Sequence, residues 1–143
     1  MPSPLDPILV ACLGYAGLFL GLTLLMASGR SVLVFQRKRA PNSFALDGSD
    51  LSPFMNRLTR ARDNYFENMG ALALIVVVAS ALGQLDALNG LATVFLAARI
   101  GQTAAHLAST ANPVVLLRAT CFFAQICIQI YWVVSILFLS GTP

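Results

Sequence analysis

The chain has 143 residues, 57% of them hydrophobic and 10% charged, with a mean hydropathy of +0.77. So few polar groups cannot clothe a water-facing surface, which excludes a soluble globule and leaves lipid as the solvent for most of the exterior. The formal charge of +3 comes from 9 Lys and Arg against 6 Asp and Glu, with no basic helix outside the apolar segments, so nucleic acid is not the expected partner.

Residues 5–28 are a nearly unbroken apolar run, long enough to cross a hydrocarbon core about 30 Å thick. They predict transmembrane helix 1 over about 5–36. A cleaved signal or a lipoprotein signal is the rival reading, because Leu9-Val10-Ala11-Cys12 is faintly like a lipidation box. The segment before the run lacks the basic residues such a signal needs, and the run continues well past Cys12. The three cysteines, Cys12, Cys121 and Cys127, lie singly in apolar runs and read as buried small hydrophobes.

Residues 29–64 change character: Arg30, Arg37, Lys38, Arg39, Arg57, Arg60 and Arg62 fall here. Pro41, Asn42, Gly48, Ser49 and Pro53 mark a turn-rich loop over about 37–56. Helix 2, predicted over about 51–83, opens within that loop with polar turns and is apolar throughout 69–82. A short turn at Asp86, Asn89 and Gly90 leads to helix 3, over about 88–108, apolar except for Arg99, Gln102 and His106. Asn112-Pro113 breaks the chain before helix 4, over about 114–139. The expected fold is all-α, a single membrane domain over 1–143 built as a bundle of four transmembrane helices.

Seven of the nine Lys and Arg lie within residues 29–64, at and around the connection of helices 1 and 2, and the N-terminus, the 84–90 turn and the C-terminus have none. The positive-inside rule then puts the first loop in the cytoplasm and both termini on the opposite side. Lys38, between Arg37 and Arg39, reads as a membrane-surface anchor. The expected location is a bacterial inner membrane, with the endoplasmic reticulum as the alternative.

This topology gathers the end of helix 1, the start of helix 2, the end of helix 3 and the start of helix 4 in one layer. On helix 2, Arg57, Arg60, Asn64 and Glu67 are spaced as one face; on helix 3, Arg99, Gln102 and His106 are. Helix 4 carries Arg118, Gln125 and Gln129 along nearly one side. Ionisable groups in membrane segments cost a few kcal/mol each, so these stripes need an internal explanation. In one, Arg60, Glu67, Arg99 and the glutamines satisfy each other between helices. In the other, the surplus of arginine over carboxylate forms a pocket for a small polyanionic ligand, held by guanidinium forks. Phe35, Tyr65, Phe66, Tyr131 and Trp132 read as core or membrane-interface aromatics. No Gly-rich phosphate loop, paired-carboxylate site or His-rich metal cluster is recognised in the sequence.

At Arg60-Ala61-Arg62-Asp63-Asn64-Tyr65-Phe66-Glu67 the chain resembles the MAPEG family, membrane-associated proteins in eicosanoid and glutathione metabolism, whose helix 2 begins Arg-Ala-x-x-Asn-x-x-Glu. Ala98 to His106 resembles the family's helix 3, and Arg118 follows Asn112-Pro113 where the family has a basic residue opening helix 4. The resemblance implies a homotrimer with glutathione between neighbouring subunits on the cytoplasmic side and a lipophilic substrate entering from the bilayer. It implies that Arg118 stabilises the glutathione thiolate, because a nearby guanidinium favours S⁻ over SH. Arg60, Asn64 and Glu67 would hold the tripeptide, Glu67 taking its ammonium group, with Arg30 or Arg37 as the helix 1 contribution and Arg99, Gln102 and His106 as further contacts. Members commonly have His at the position of Arg62, a Pro near Ala71, and His or Tyr at Gln102 and His106; Asp63 adds negative charge near the site.

The leading expectation is a glutathione-dependent transferase, peroxidase or isomerase acting on lipophilic electrophiles. The alternative is a non-catalytic lipid-binding or assembly protein on the same scaffold. A small transporter or channel accounts for buried arginines but not for their crowding at one membrane side.

Overall fold

The computed structural model describes residues 5–141, among which the chain forms four helices. These are α1 (Pro7–Phe35), α2 (Pro53–Ala81), α3 (Asp86–Ala108) and α4 (Asn112–Gly141). At 1.5 Å per residue the 29 residues of α1 exceed the hydrocarbon thickness, so the helix can cross it with length to spare. By length and apolarity α1, α2 and α4 can each cross a membrane. The less apolar α3 packs against all three, with Arg99 and Gln102 turned inward.

Each helix starts where local chemistry lets it. Proline occupies the first turn of α1 and α2, where its missing amide costs no helical bond. The Ser52 side chain caps α2 by accepting from the Met55 amide at 3.1 Å. Near the start of α1, the Ile8 amide donates to Asn89 Oδ1 of α3 at 3.1 Å, which ties the two helix starts together. Asn112 and Pro113 do not precede α4 as a break; they form its first turn, and Ser109 is where the chain leaves α3.

Three further contacts fix an up-down-up-down bundle. Arg57 Nε donates to the Leu107 carbonyl at 3.0 Å, joining the start of α2 to the end of α3. Arg118 of α4 meets His106 of α3 at the same end, and Gln84 meets Ser140 at the other. The core runs through the bundle as an aromatic stack: Tyr65 on Tyr15 with centroids 4.8 Å apart, Tyr15 on Phe95 at 6.3 Å, and Phe95 on Trp132 at 5.3 Å. Phe66 and Tyr131, by contrast, face outward, among many exposed leucines and valines that suit lipid or a neighbouring chain. Cys12 and Cys121 are half-buried, but Cys127 is exposed, contrary to the expectation of a buried hydrophobe, because its helical position falls on the outer side of α4.

The loop between α1 and α2 is folded onto the bundle. Arg39 is paired with Asp50 and donates to the Asp50 carbonyl at 2.8 Å, so it braces the loop instead of standing free beside Lys38. Gly48 has φ +67°, and a Cβ there would come within 2.9 Å of Thr59 Oγ1, so the loop can lie this close to α2 only with glycine. Hydrogen bonds from the Ser49 hydroxyl and amide hold the Asp47 carboxyl below the usual carboxylate range, with the Arg60 charge adding a smaller share.

Candidate functional site

Arg99 organises the polar interior. It is fully buried, and its guanidinium lies 3.8 Å from the Tyr65 ring centroid and 4.8 Å from that of Tyr15. Nη1 donates to Asn64 Oδ1 and Gln102 Oε1, both at 2.9 Å, and to Gln125 Oε1 at 3.4 Å. Nη2 donates to the Asn64 carbonyl at 2.9 Å and to Tyr15 Oη at 3.0 Å. No carboxylate forms a salt bridge with it among the described residues. The charge is spread over amide oxygens and aromatic faces instead.

Because a guanidinium carries only donors, the amide groups around it have one consistent orientation. The oxygens of Asn64 and Gln102 point inward; Gln102 Nε2 donates back to Asn64 Oδ1 at 3.1 Å, and Gln125 Nε2 to Gln102 Oε1 at 2.9 Å. The Thr103 hydroxyl donates to the Arg99 carbonyl at 2.8 Å, so the Tyr65 hydroxyl, 2.7 Å away, must donate to Thr103. Tyr15 in turn donates to the Tyr65 carbonyl at 2.8 Å. The Asn64 side-chain nitrogen has no partner among the described residues, and Asn64 lines an open cleft.

That cleft, of about 290 Å³, lies between α2, α3 and α4 and is lined by Asn64, Gln102, His106, Arg118, Val115 and Phe122. Arg118 Nη1 is 3.4 Å from His106 Nδ1. The arginine can only donate, so Nδ1 is the acceptor and the neutral ring carries its proton on Nε2. Arginine, imidazole N–H and amide N–H line the cleft and no carboxylate does. The donor set matches an anion, and the apolar wall supplied by Val115 and Phe122 matches an uncharged neighbour of that anion.

The sequence-derived candidates therefore divide. Asn64, Gln102, His106 and Arg118 share the cleft, while Arg99 lies beneath it as the group that orients Asn64 and Gln102 and does not line it. Arg60 and Glu67 are exposed on α2 without a hydrogen bond or ion pair among the described residues, so they neither satisfy Arg99 nor enter this cleft within one protomer. Glu67 lines a separate hollow with Arg62, Asp63, Phe66 and Phe19, where Arg62 and Asp63 form an ion pair. Arg30 turns toward the loop, its Nη2 donating to the Ala45 carbonyl at 2.9 Å, and Arg37 stands exposed beyond the end of α1 with φ 55°. Tyr15 and Thr103 are essential parts of the cage that the sequence does not announce. Tyr15 lies in an unbroken apolar run, and only its contact with Arg99 across 84 residues gives it a polar role.

Fold and site together define a polytopic membrane protein that keeps a caged guanidinium and a donor-lined cleft toward one end of a four-helix bundle. The profile of the MAPEG family matches residues 9–138, nearly the whole chain, and the protein belongs to that family. No curated protein and no solved structure is significantly similar to it.

Proposed function

We propose that the protein is a glutathione-dependent membrane enzyme acting on lipophilic electrophiles, of transferase, peroxidase or isomerase type. The observation that carries this reading is the Arg118 cleft, whose charged and amide groups are all suited to donate to an anion beside an apolar wall. Membership in a family of eicosanoid and glutathione metabolism supports it. Glutathione, when bound, supplies a thiol nucleophile. The Arg118 guanidinium favours the deprotonated sulfur at neutral pH, and His106 holds that guanidinium against α3. The Asn64 amide, fixed by Arg99, offers a further N–H, and Arg60 and Glu67 on the outer edge of α2 suit the carboxylate and ammonium ends of a tripeptide. Since Glu67 and the cleft lie apart in one protomer, the reading includes a homotrimer in which two subunits complete each site. The charge distribution of the chain supports a cytoplasmic first loop in a bacterial inner membrane.

The test is a glutathione titration of the detergent-purified protein that follows thiolate absorbance in the ultraviolet. The expected outcome is a saturable signal, reduced at least about tenfold in Arg118→Ala, the size of effect one lost charge-assisted contact produces. A thiolate signal that survives Arg118→Ala unchanged removes the role assigned to that residue.

A second reading, a lipid-binding or assembly protein without turnover, is favoured by a hollow of about 250 Å³ between α2 and α4. It is lined by Ala71, Ile75, Ile126, Ile130 and Val133, with Gln129 as its polar member. Retained lipid together with no thiolate signal in the same titration selects it.

A further inference from the structure

Two glutamines, Gln125 and Gln129, lie one turn apart on α4, and the bundle treats them differently. Any stretch of about 20 residues of α4, the length that crosses a hydrocarbon core, includes both, so both amides lie at hydrocarbon depth. Gln125 is fully engaged: its Oε1 accepts from Arg99 at 3.4 Å, and its Nε2 donates to Gln102 Oε1 and to the Cys121 carbonyl, both at 2.9 Å. Gln129 is 7% exposed, and its side chain has no hydrogen-bond partner among the described residues. It lines the hollow of about 250 Å³ between α2 and α4, whose other side chains, Ile75, Ile126 and Val133 among them, are all apolar. An amide without a partner in a water-free setting is costly, and its oxygen and N–H₂ call for a group that donates, accepts or does both.

The hollow belongs to a longer seam. Gln129 is three turns along α4 from Arg118 and on the same face, about 16 Å deeper. Beyond it a second hollow, of about 210 Å³ and lined by apolar side chains, shares Ile75 and Val133 with the first. A ligand in the seam thus meets hydrocarbon on both sides of one amide. Around this depth the outer faces of α1 and α2 present a neighbouring copy with Leu13, Leu20, Leu74 and Val77, and the Thr23 hydroxyl already donates to the Phe19 carbonyl at 2.8 Å. The partner that Gln129 lacks therefore has to come with the ligand. We propose that Gln129 sets the specificity for that ligand: the seam takes a single-chain lipid with a hydroxyl or other oxygen function in mid-chain, hydrogen-bonded to the Gln129 amide, and plain hydrocarbon on either side of it. A hydroxyl pairs with either end of the amide, whereas a chain without one leaves the amide orphaned. The inference rests on the reading that a lipophilic ligand occupies this hollow, which turnover and lipid holding share, and not on glutathione.

The experiment is a competition between ricinoleic and oleic acid, which differ by one mid-chain hydroxyl, for the detergent-purified full chain without glutathione, read by native mass spectrometry. Wild type is expected to retain ricinoleic acid about tenfold over oleic acid, the worth of one hydrogen bond to an otherwise unpaired buried amide. Gln129→Met keeps the length of the side chain and removes the amide. It is expected to bring the ratio close to one while oleic acid stays bound, which also shows that the hollow is intact. The same ratio in wild type and Gln129→Met overturns the role of Gln129 and leaves the lipophilic reading standing. Loss of both acids in Gln129→Met at an unchanged melting temperature overturns it too, because Gln129 would then shape the hollow and not select its occupant. Retention of neither acid by wild type overturns the lipophilic reading and the inference together.

Discussion

Arg99 shows how a membrane protein keeps a charge in its interior without an opposite charge. Placing an arginine near the middle of a membrane helix costs about 2.5–3.5 kcal/mol on insertion scales. Hydrogen bonds between membrane helices return about 0.6 kcal/mol each on average, so the four that Arg99 donates to α1, α2 and α4, with a fifth to Gln102 on its own helix, roughly offset that cost. The residue is therefore nearly neutral for stability, and its consequence is orientation: it turns the oxygens of Asn64 and Gln102 inward and leaves the Asn64 N–H₂ to the cleft. Arg99→Met fills similar space and removes every donor. It is expected to lower stability by about 1–3 kcal/mol through orphaned amides, while weakening glutathione binding beyond what that loss explains. Arg99→Lys keeps the charge but not the fork, and should lie between Met and wild type. Melting and titration on the same samples separate the two effects, and wild-type binding by Arg99→Met would contradict the orienting role.

At the scale of elements, α1 and α2 end in the same way with different residues. Beyond α2, Gln84 N bonds to the Ala79 carbonyl at 2.8 Å and Gly83 N to that of Ser80 at 3.1 Å, with Gly83 at φ +66°. Beyond α1, Lys38 N bonds to the Leu33 carbonyl at 3.0 Å and Arg37 N to that of Val34 at 2.9 Å, and the left-handed position is filled by Arg37. A side chain there costs about 1–2 kcal/mol. Arg37→Gly is thus expected to stabilise the protein by about 1 kcal/mol, and Gly83→Ala to destabilise it by a similar amount, read from thermal melts in detergent. If Arg37 also contacts glutathione, Arg37→Gly will gain stability and lose affinity together; the strained backbone would then be the cost of presenting the side chain. The apolar runs in the sequence display the helices because a bilayer demands about 20 apolar residues per crossing. The ends are less legible: a helix stop at an arginine carries no glycine signal, and Pro113 reads as a break although proline suits a first helical turn.

For the whole molecule, periodicity places Arg99, Gln102 and His106 on one face of α3 because helical spacing is a local property. How deep that face sits, and that Tyr15 and Tyr65 close over Arg99, depend on how four helices pack and are invisible along the chain. The same limit applies to α2: Arg60, Asn64 and Glu67 share an edge by spacing, yet the bundle turns Asn64 toward Arg99 and leaves the other two outside. Arg60 and Glu67, in no salt bridge among the described residues, stand on the outer edge of the bundle beside exposed apolar side chains, where lipid would make them costly and the proposed trimer would cover them. In a cyclic homotrimer, Glu67 of one subunit and Arg118 of the next would serve one ligand, and this can be read by complementation. Glu67→Ala and Arg118→Ala, each purified alone, are expected to lose the thiolate signal; produced together, they should regain it at roughly a quarter of the sites, since random mixing restores that share of intact pairs around a three-membered ring. A site contained in one protomer gives no recovery in the mixture, because every chain then carries one lesion in its own site. Recovery together with a native mass of three protomers would locate the ligand between subunits and explain why no single subunit brings Glu67 and Arg118 to the same cleft.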